Sequence, residues 1–111
     1  MLKDLANDYI RAFDSKDLNE IATLLVENFI LEDPVVKRIE GKNNALDVMR
    51  NIFESCDELS FFAKNIYVEK NVTIIEFILK MDEVMLTGTD IIEWKDDKMK
   101  ELRAYLDIPK V

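Results

Sequence analysis

The fold is decided by residues 59–108, which read LSFFAKNIYVEKNVTIIEFILKMDEVMLTGTDIIEWKDDKMKELRAYLDI. Four long segments of this stretch are rich in Ile, Val, Phe, Tyr and Leu, which favour strands. Short polar turns separate the segments at residues 70–71, 82–83 and 96–97. The pattern predicts four consecutive strands joined by hairpins, in an antiparallel meander.

The residues before the meander begin with two predicted helices. In residues 2–14, apolar side chains recur at three- and four-residue spacing, which predicts the first helix. Asp17 followed by Glu20 resembles a capping box and predicts the start of the second. Its expected core face consists of Leu18, Ile21, Leu24 and Leu25.

A short strand and a third helix complete the predicted order of elements. Residues 29–33 alternate apolar and polar side chains and stop at Pro34, which predicts a strand. Gly41 and the Asn43–Asn44 pair predict the start of a helix whose apolar face includes Met49 and Phe53. Three N-terminal helices followed by a long antiparallel sheet indicate an α+β fold. At 111 residues, the whole of 1–111 fits a single domain.

Composition excludes several classes of function. The net charge is −8, so phosphate backbones and anionic lipids are repelled, and we expect no nucleic-acid or membrane partner. Cys56 is the only cysteine, which excludes an internal disulfide and agrees with a reducing cytoplasm. No apolar run fits a signal peptide or a membrane span, so we expect a cytoplasmic protein. The chain has no histidine, which excludes His-based catalysis and His metal ligands.

The strongest functional signal is Asp90 in the segment 84–94. Even-numbered positions of a regular strand point to one side, and here they carry Val84, Leu86, Gly88, Asp90, Ile92 and Trp94. A carboxylate in an apolar row is costly unless it is protonated, paired or hydrogen-bonded. The alternation predicts that Asp90 points inward, whereas a bulge at Gly88 would return it to solvent.

Asp33 and Tyr9 are the other candidates. Asp33 shares a strand face with Phe29 and Leu31, although composition alone slightly favours an Asp-Pro turn that merely ends the strand. Tyr9 lies in the apolar stripe of the first helix, where a simple core tyrosine is the alternative. If the three converge, an apolar cavity would hold one phenol and two carboxyls, and their environment would push the carboxyl pKa values apart.

The sequence lacks the common cofactor-binding motifs, so we expect no cofactor. The sequence contains no Gly-rich phosphate loop, no CxxC and no spacing typical of a metal site. Cys56 has no histidine to activate it, so we expect an inert thiol. The carboxylate pairs at 82–83 and 96–97 are expected to be solvated turn residues.

The segment DYIRAFDSKDLNEIATLLVENFILEDP resembles the N-terminal region of bacterial ketosteroid isomerases. The similarity includes a tyrosine on the first helix, Tyr9, and an Asp-Pro pair ending the first strand. The later segment GTDIIEWKDDKMKELRAYLD resembles the last hairpin of the wider nuclear-transport-factor-2-like (NTF2-like), or SnoaL-like, superfamily. This resemblance implies a cone-shaped fold, with the helices on a strongly curved antiparallel sheet.

The resemblance also implies roles and partners. Asp33 would be the proton-shuttling base, and Tyr9 with a protonated Asp90 would form the oxyanion hole, a division of labour known for ketosteroid isomerase. A small apolar carbonyl compound would be the substrate, no cofactor would be needed, and the protein would be a homodimer through its sheet. Among sister activities, limonene-epoxide-hydrolase-like enzymes carry an Arg where this chain has Gly88, whereas polyketide-cyclase-like chemistry remains open.

Two further hypotheses stay open beside the enzyme. One is a non-catalytic module that binds a small apolar molecule or recruits a protein, and the other is an assembly domain. The meander carries aromatic and Met side chains on both faces, and one side of one strand has an apolar row formed by Thr73, Ile75, Phe77, Leu79 and Met81. If the helices cover only one face of the sheet, the other leaves apolar surface exposed. Exposed apolar surface of this kind predicts association.

Overall fold

Three helices pack against one six-stranded sheet in this computed structural model, which describes residues 1–107. The elements in chain order are α1 (Leu2–Asp14), α2 (Leu18–Leu24), β1 (Leu25–Asp33), β2 (Lys37–Glu40), α3 (Lys42–Glu54), β3 (Leu59–Glu69), β4 (Val72–Met81), β5 (Val84–Lys95) and β6 (Lys98–Asp107). The strand order is β2-β1-β6-β5-β4-β3. The α+β fold predicted from the sequence is confirmed, with the helices in the N-terminal half.

The sheet is mixed because one of its pairings is parallel. Strands β3 to β6 form the predicted antiparallel meander. β1 lies parallel to β6, with Leu31 opposite Leu102, and pairs antiparallel with β2 on its other side. The sequence analysis expected antiparallel pairing throughout. The parallel pair forms because β1, besides pairing with β2, also lies next to β6, the last strand of the described residues.

Most element boundaries follow the local signals. α1 has the predicted bounds, and the carboxylate of Asp17 caps α2 by accepting a hydrogen bond from Glu20 N at 3.0 Å. Leu25 differs, since its extended backbone begins β1 instead of closing the helix. β2 was not predicted. The last predicted segment ends at Ile108, which lies outside the described residues.

The hairpin turns use residues that tolerate a left-handed backbone. Lys70, Asp82, Asp96 and Asp97 all have positive φ values. Asp82 is more than a solvated turn residue, because its carboxylate accepts hydrogen bonds from Asp57 N and Glu58 N. This contact ties the β4–β5 turn to the loop that follows α3.

The sheet has two faces with different roles. The inner face, toward the helices, carries the row predicted on β4, in which Thr73, Ile75, Phe77 and Leu79 are buried. At one end of this face Trp94 Nε1 donates a hydrogen bond to Thr73 Oγ1 at 2.9 Å. The outer face is the opposite side of the sheet and exposes large side chains: Phe62, Tyr67, Met85 and Tyr105. Among residues 1–107, no helix is both long enough and apolar enough to cross a bilayer.

Candidate active site

An inner cavity of about 70 Å³ brings together Tyr9, Asp33 and Asp90. These residues come from α1, the end of β1 and the middle of β5. The rest of the lining is apolar and comes from the helices and the inner face: Phe13, Leu31, Met49, Ile52, Phe61, Leu79, Leu102, Ala104 and Leu106. The three residues singled out in the sequence therefore line the same small space.

Asp90 points inward from β5, as the alternation predicted. It is 4% exposed and lies on the same side of the strand as the buried Ile92 and Trp94. Burial, and after it the nearby negative charge of Asp33, together raise the pKa of Asp90 from 3.8 to about 8. At neutral pH this carboxyl is therefore mostly protonated and can donate a hydrogen bond.

Gly88 keeps the strand around Asp90 regular. The β4–β5 pairing runs without a register shift past Gly88, so the alternative of a bulge there is excluded. A Cβ atom on Gly88 would lie 2.5 Å from the carbonyl oxygen of Tyr105 and 2.7 Å from Cζ of Phe77. The missing side chain thus makes room for the Phe77 ring and for the β6 backbone.

Tyr9 is held by aromatic neighbours. Its ring centroid lies 5.9 Å from that of Phe13 and 6.2 Å from that of Phe61, the latter in an edge-to-face arrangement. Burial raises the pKa of the Tyr9 hydroxyl well above its usual value, and Asp90 adds to the rise. The hydroxyl is consequently a neutral donor at physiological pH.

The polar ends of Tyr9 and Asp90 are open to the cavity. Within the part of the chain that the structure describes, neither the Tyr9 hydroxyl nor the Asp90 carboxyl has a hydrogen-bond partner. Among the same residues, every side-chain nitrogen or oxygen atom that is fully buried does have a partner. Buried polar groups are normally satisfied. The capacity of these two groups to donate is therefore directed at whatever occupies the cavity.

Asp33 both ends its strand in an Asp-Pro turn and faces the cavity, the two possibilities that its sequence context allowed. Its Oδ1 accepts hydrogen bonds from Val35 N at 2.8 Å and Val36 N at 2.7 Å, so the residue ends β1 in an Asp-Pro turn. The same side chain lines the inner cavity. Oδ2 makes no hydrogen bond to a residue within 1–107. The turn therefore fixes the orientation of the carboxylate and leaves one of its oxygen atoms uncommitted.

A larger apolar space, the vestibule, lies beside the inner cavity and has a volume of about 410 Å³. The two share Asp33, Ile52, Leu79 and Leu106. The other vestibule residues come from the turn after β1, from α3 and from the ends of β4 and β5: Val35, Val36, Val48, Asn51, Ser55, Met81 and Leu86. The sequence analysis missed this set, although two consecutive valines in an exposed turn were an available signal.

Metal ligation has no support in the described residues. No group of three or more His, Cys, Asp or Glu side chains within 1–107 is arranged to hold an ion. Cys56 is a buried free thiol whose Sγ lies 3.8 Å from the carbonyl oxygen of Ile52. The polar side chains that line the inner cavity are one phenol, Tyr9, and two carboxyls, Asp33 and Asp90.

Comparison with known proteins agrees with this architecture. A family model described as "SnoaL-like domain" matches residues 6–102. A putative ketosteroid isomerase from Kribbella flavida superposes with a TM-score of 0.85 at 18% identity, covering 97% of this chain and 78% of that one. A putative SnoaL-like polyketide cyclase from Shewanella denitrificans gives 0.81 at 13% identity, covering 95% and 89%.

A third solved structure carries another activity on the same fold. An LEH-like epoxide hydrolase from M. tuberculosis gives a TM-score of 0.79 at 16% identity, covering 94% of this chain and 80% of that one. No curated protein matches the sequence significantly. At these identities the structural likeness establishes the fold, and the reaction has to be argued from the site.

Proposed function

The chain belongs to the SnoaL-like domain family, within the NTF2-like superfamily, and on that premise we propose that it is a cofactor-independent enzyme that moves a proton on a small apolar carbonyl compound. The observation that carries the proposal is that Tyr9, Asp33 and Asp90 line one apolar cavity in different electrostatic environments. Asp90 is the fully buried acid, whereas Asp33 is half-buried and reaches both the cavity and the vestibule. Such an arrangement separates a proton acceptor from proton donors.

The proposed reaction uses the uncommitted oxygen of Asp33 as the base. Oδ2 removes a proton from the carbon next to the carbonyl group, and the electron pair of the broken C–H bond forms an enolate. The enolate oxygen accepts hydrogen bonds from the Tyr9 hydroxyl and the Asp90 carboxyl, which stabilise the developing charge in a site of low polarity. Asp33 then returns the proton to another carbon of the substrate, so that the net reaction is an isomerisation.

Epoxide hydrolysis is disfavoured because this chain has Gly88 where limonene-epoxide-hydrolase-like enzymes carry an Arg. Gly88 stands two residues before Asp90, and an added Cβ there would already overlap the Tyr105 carbonyl and the Phe77 ring. The backbone therefore leaves no space for a long cationic side chain at this position. Cyclisation by a carboxylate base would use the same three residues and is a second route for the same site.

A binding module without turnover is the alternative proposal. It is favoured by the vestibule, whose lining is mainly apolar and whose volume lies within the range of small-molecule sites. In that case the carboxyl substitutions would alter only affinity or stability. Turnover of a test ketone separates the two proposals.

The outer face supports a proposed homodimer. Phe62, Tyr67, Met85 and Tyr105 are each between 44% and 59% exposed on this face. Side chains of this size on one surface favour association with a second copy, because burial removes their apolar area from water. The single cysteine supports a reducing compartment, and we propose the cytoplasm.

The decisive experiment measures the isomerisation of β,γ-unsaturated ketones by the absorbance of the conjugated product. The test ketones range in size from cyclohex-3-enone to a Δ5-3-keto steroid. Asp33→Asn keeps an Oδ1 acceptor for Val35 N and Val36 N but removes the base, so turnover should fall by about 10²- to 10⁴-fold with little change in stability. Tyr9→Phe removes one donor to the enolate and should cost roughly 10²- to 10³-fold.

Phenols, which mimic the enol, provide an independent measurement. Their binding should weaken in the Tyr9→Phe and Asp90→Asn variants and change much less in Asp33→Asn. Asp57→Asn, which removes an exposed carboxylate away from the cavity, is the matched control. A wild-type protein that neither converts such ketones nor binds phenols would rule out the isomerase proposal.

A further inference from the structure

We infer that Asn51 and Ser55 recognise a second polar group on a neutral substrate, at the end of the molecule away from the reacting carbonyl. The inference rests on the proposed function for where the carbonyl binds. Asn51 lies in the last turn of α3, Ser55 is the residue that caps the C-terminal end of this helix four positions later, and both line the vestibule. Neither lines the inner cavity, so they contact the part of a ligand that remains outside it.

Asn51 and Ser55 are uncharged polar side chains in a vestibule that is mainly apolar. In the described part of the chain, the vestibule is otherwise lined by apolar side chains and by Asp33, which is proposed as the base. Both side chains are exposed at the rim of the vestibule, so a ligand end placed against them displaces only part of their water. A polar atom on the ligand would replace the hydrogen bonds lost with that water, whereas an apolar end would not, so the pair favours a ligand that carries a polar atom.

The hydrogen-bonding capacity of the pair defines the group. The Asn51 amide has no partner among residues 1–107, so it offers one donor group and one acceptor. Ser55 Oγ donates to the carbonyl oxygen of Ile52 at 2.6 Å, which leaves its lone pairs to accept a hydrogen atom. A ligand hydroxyl, which both donates and accepts, matches this combination.

Charge argues against an anionic ligand end. Among the described residues, no Lys or Arg lines the vestibule or the inner cavity. Asp33 lies at the junction of the two, and the whole chain carries a net charge of −8. An anionic group would be desolvated and repelled without compensation.

The small volume of the inner cavity determines which part of the ligand it holds and which part lies in the vestibule. A space of about 70 Å³ admits the carbonyl and only a few neighbouring atoms. The remaining body must occupy the vestibule, between Val48 and Ile52 of α3 and Leu86 of β5. The structure therefore assigns a neutral, two-ended substrate class: a carbonyl at one end, an apolar body, and a hydroxyl at the other.

The test compares three phenol probes by calorimetry with the full chain. They are 4-cyclohexylphenol, its relative with a hydroxyl on the far ring carbon, and the corresponding carboxylate. In the wild type the hydroxyl should improve affinity by about 2- to 10-fold, as expected for one or two neutral hydrogen bonds at a partly exposed site. The carboxylate should bind most weakly.

The variants separate recognition from general effects. Asn51→Leu should abolish the advantage of the hydroxyl probe while leaving 4-cyclohexylphenol bound equally or better, and Ser55→Ala should reduce it. Asn43→Leu adds the same exposed apolar side chain elsewhere on α3 and should leave the advantage intact.

Each outcome decides a different claim. Equal binding of the two neutral probes to the wild type, or an advantage that survives in Asn51→Leu, would overturn this inference alone. Discrimination between the probes without turnover of any ketone would uphold it and refute catalysis. Failure of all three probes to bind would overturn both.

Discussion

The stability of Asp90→Asn relative to that of the wild type should increase as pH rises from about 4 to about 8. The pKa of Asp90 is raised from 3.8 to about 8 by burial and by Asp33, so between those values the folded protein retains a proton that the unfolded chain has released. The stability of the wild type therefore falls as pH rises through this window and levels off above about 8. Asn has no such proton to retain.

The size of this change in relative stability follows from the pH range over which the two proteins are compared. One pH unit corresponds to about 1.4 kcal/mol. Between about pH 5 and pH 7 the difference in unfolding free energy between Asp90→Asn and the wild type should therefore grow by about 3 kcal/mol. The intrinsic packing cost of the Asn side chain is the same at both pH values and cancels from this comparison.

The chain supplies its own reporter for this measurement. Trp94 is the single tryptophan and is 3% exposed, so its fluorescence should follow unfolding in urea at each pH. Asp57→Asn controls for the removal of one exposed negative charge from a protein of net charge −8. A difference between Asp90→Asn and the wild type that does not change with pH would refute the protonated state of Asp90 and its role as a donor.

Gly88→Ala should lower the free energy of unfolding by about 1 to 3 kcal/mol, because the new methyl group would overlap the Tyr105 carbonyl and the Phe77 ring; an unchanged urea midpoint would contradict this. Turnover of a β,γ-unsaturated ketone should decline as pH rises through about 8, since Asp90 then ionises and ceases to donate; a flat alkaline profile would remove that requirement. Light scattering at micromolar concentration should show a dimer, and Tyr105→Lys on the outer face should yield monomers; a monomeric wild type would end the dimer proposal.

Local signals were sufficient for most elements of the fold. The periodicity of residues 2–14 and the capping residue Asp17 act within a few residues of themselves, so they could be recognised without knowing the tertiary structure. β2 could not, because Lys37–Glu40 is mostly charged and becomes a strand only through its pairing with β1. The parallel contact between β1 and β6 depends on where distant segments meet, which no local pattern encodes.

The candidate site was predictable to different degrees. Strand alternation alone was enough to predict the inward direction of Asp90. For Asp33 and Tyr9 the residues allowed two interpretations each, and only their common cavity shows that they lie together. The vestibule escaped prediction because its residues come from four separate parts of the chain and share no spacing.

The position of β1 beside β6 has a consequence for how the molecule is made. Leu31 pairs with Leu102, so β1 can complete its place in the sheet only after nearly the whole described chain has left the ribosome. Pairings between segments so distant in sequence form slowly, because the chain entropy of closing the loop is lost before the contact stabilises it. Asp33 ends β1 and Asp90 lies on β5, the other neighbour of β6, so β6 connects the two strands that carry the carboxyls. Truncation before Lys98 should leave a nascent protein with helices and hairpins but without the cavity.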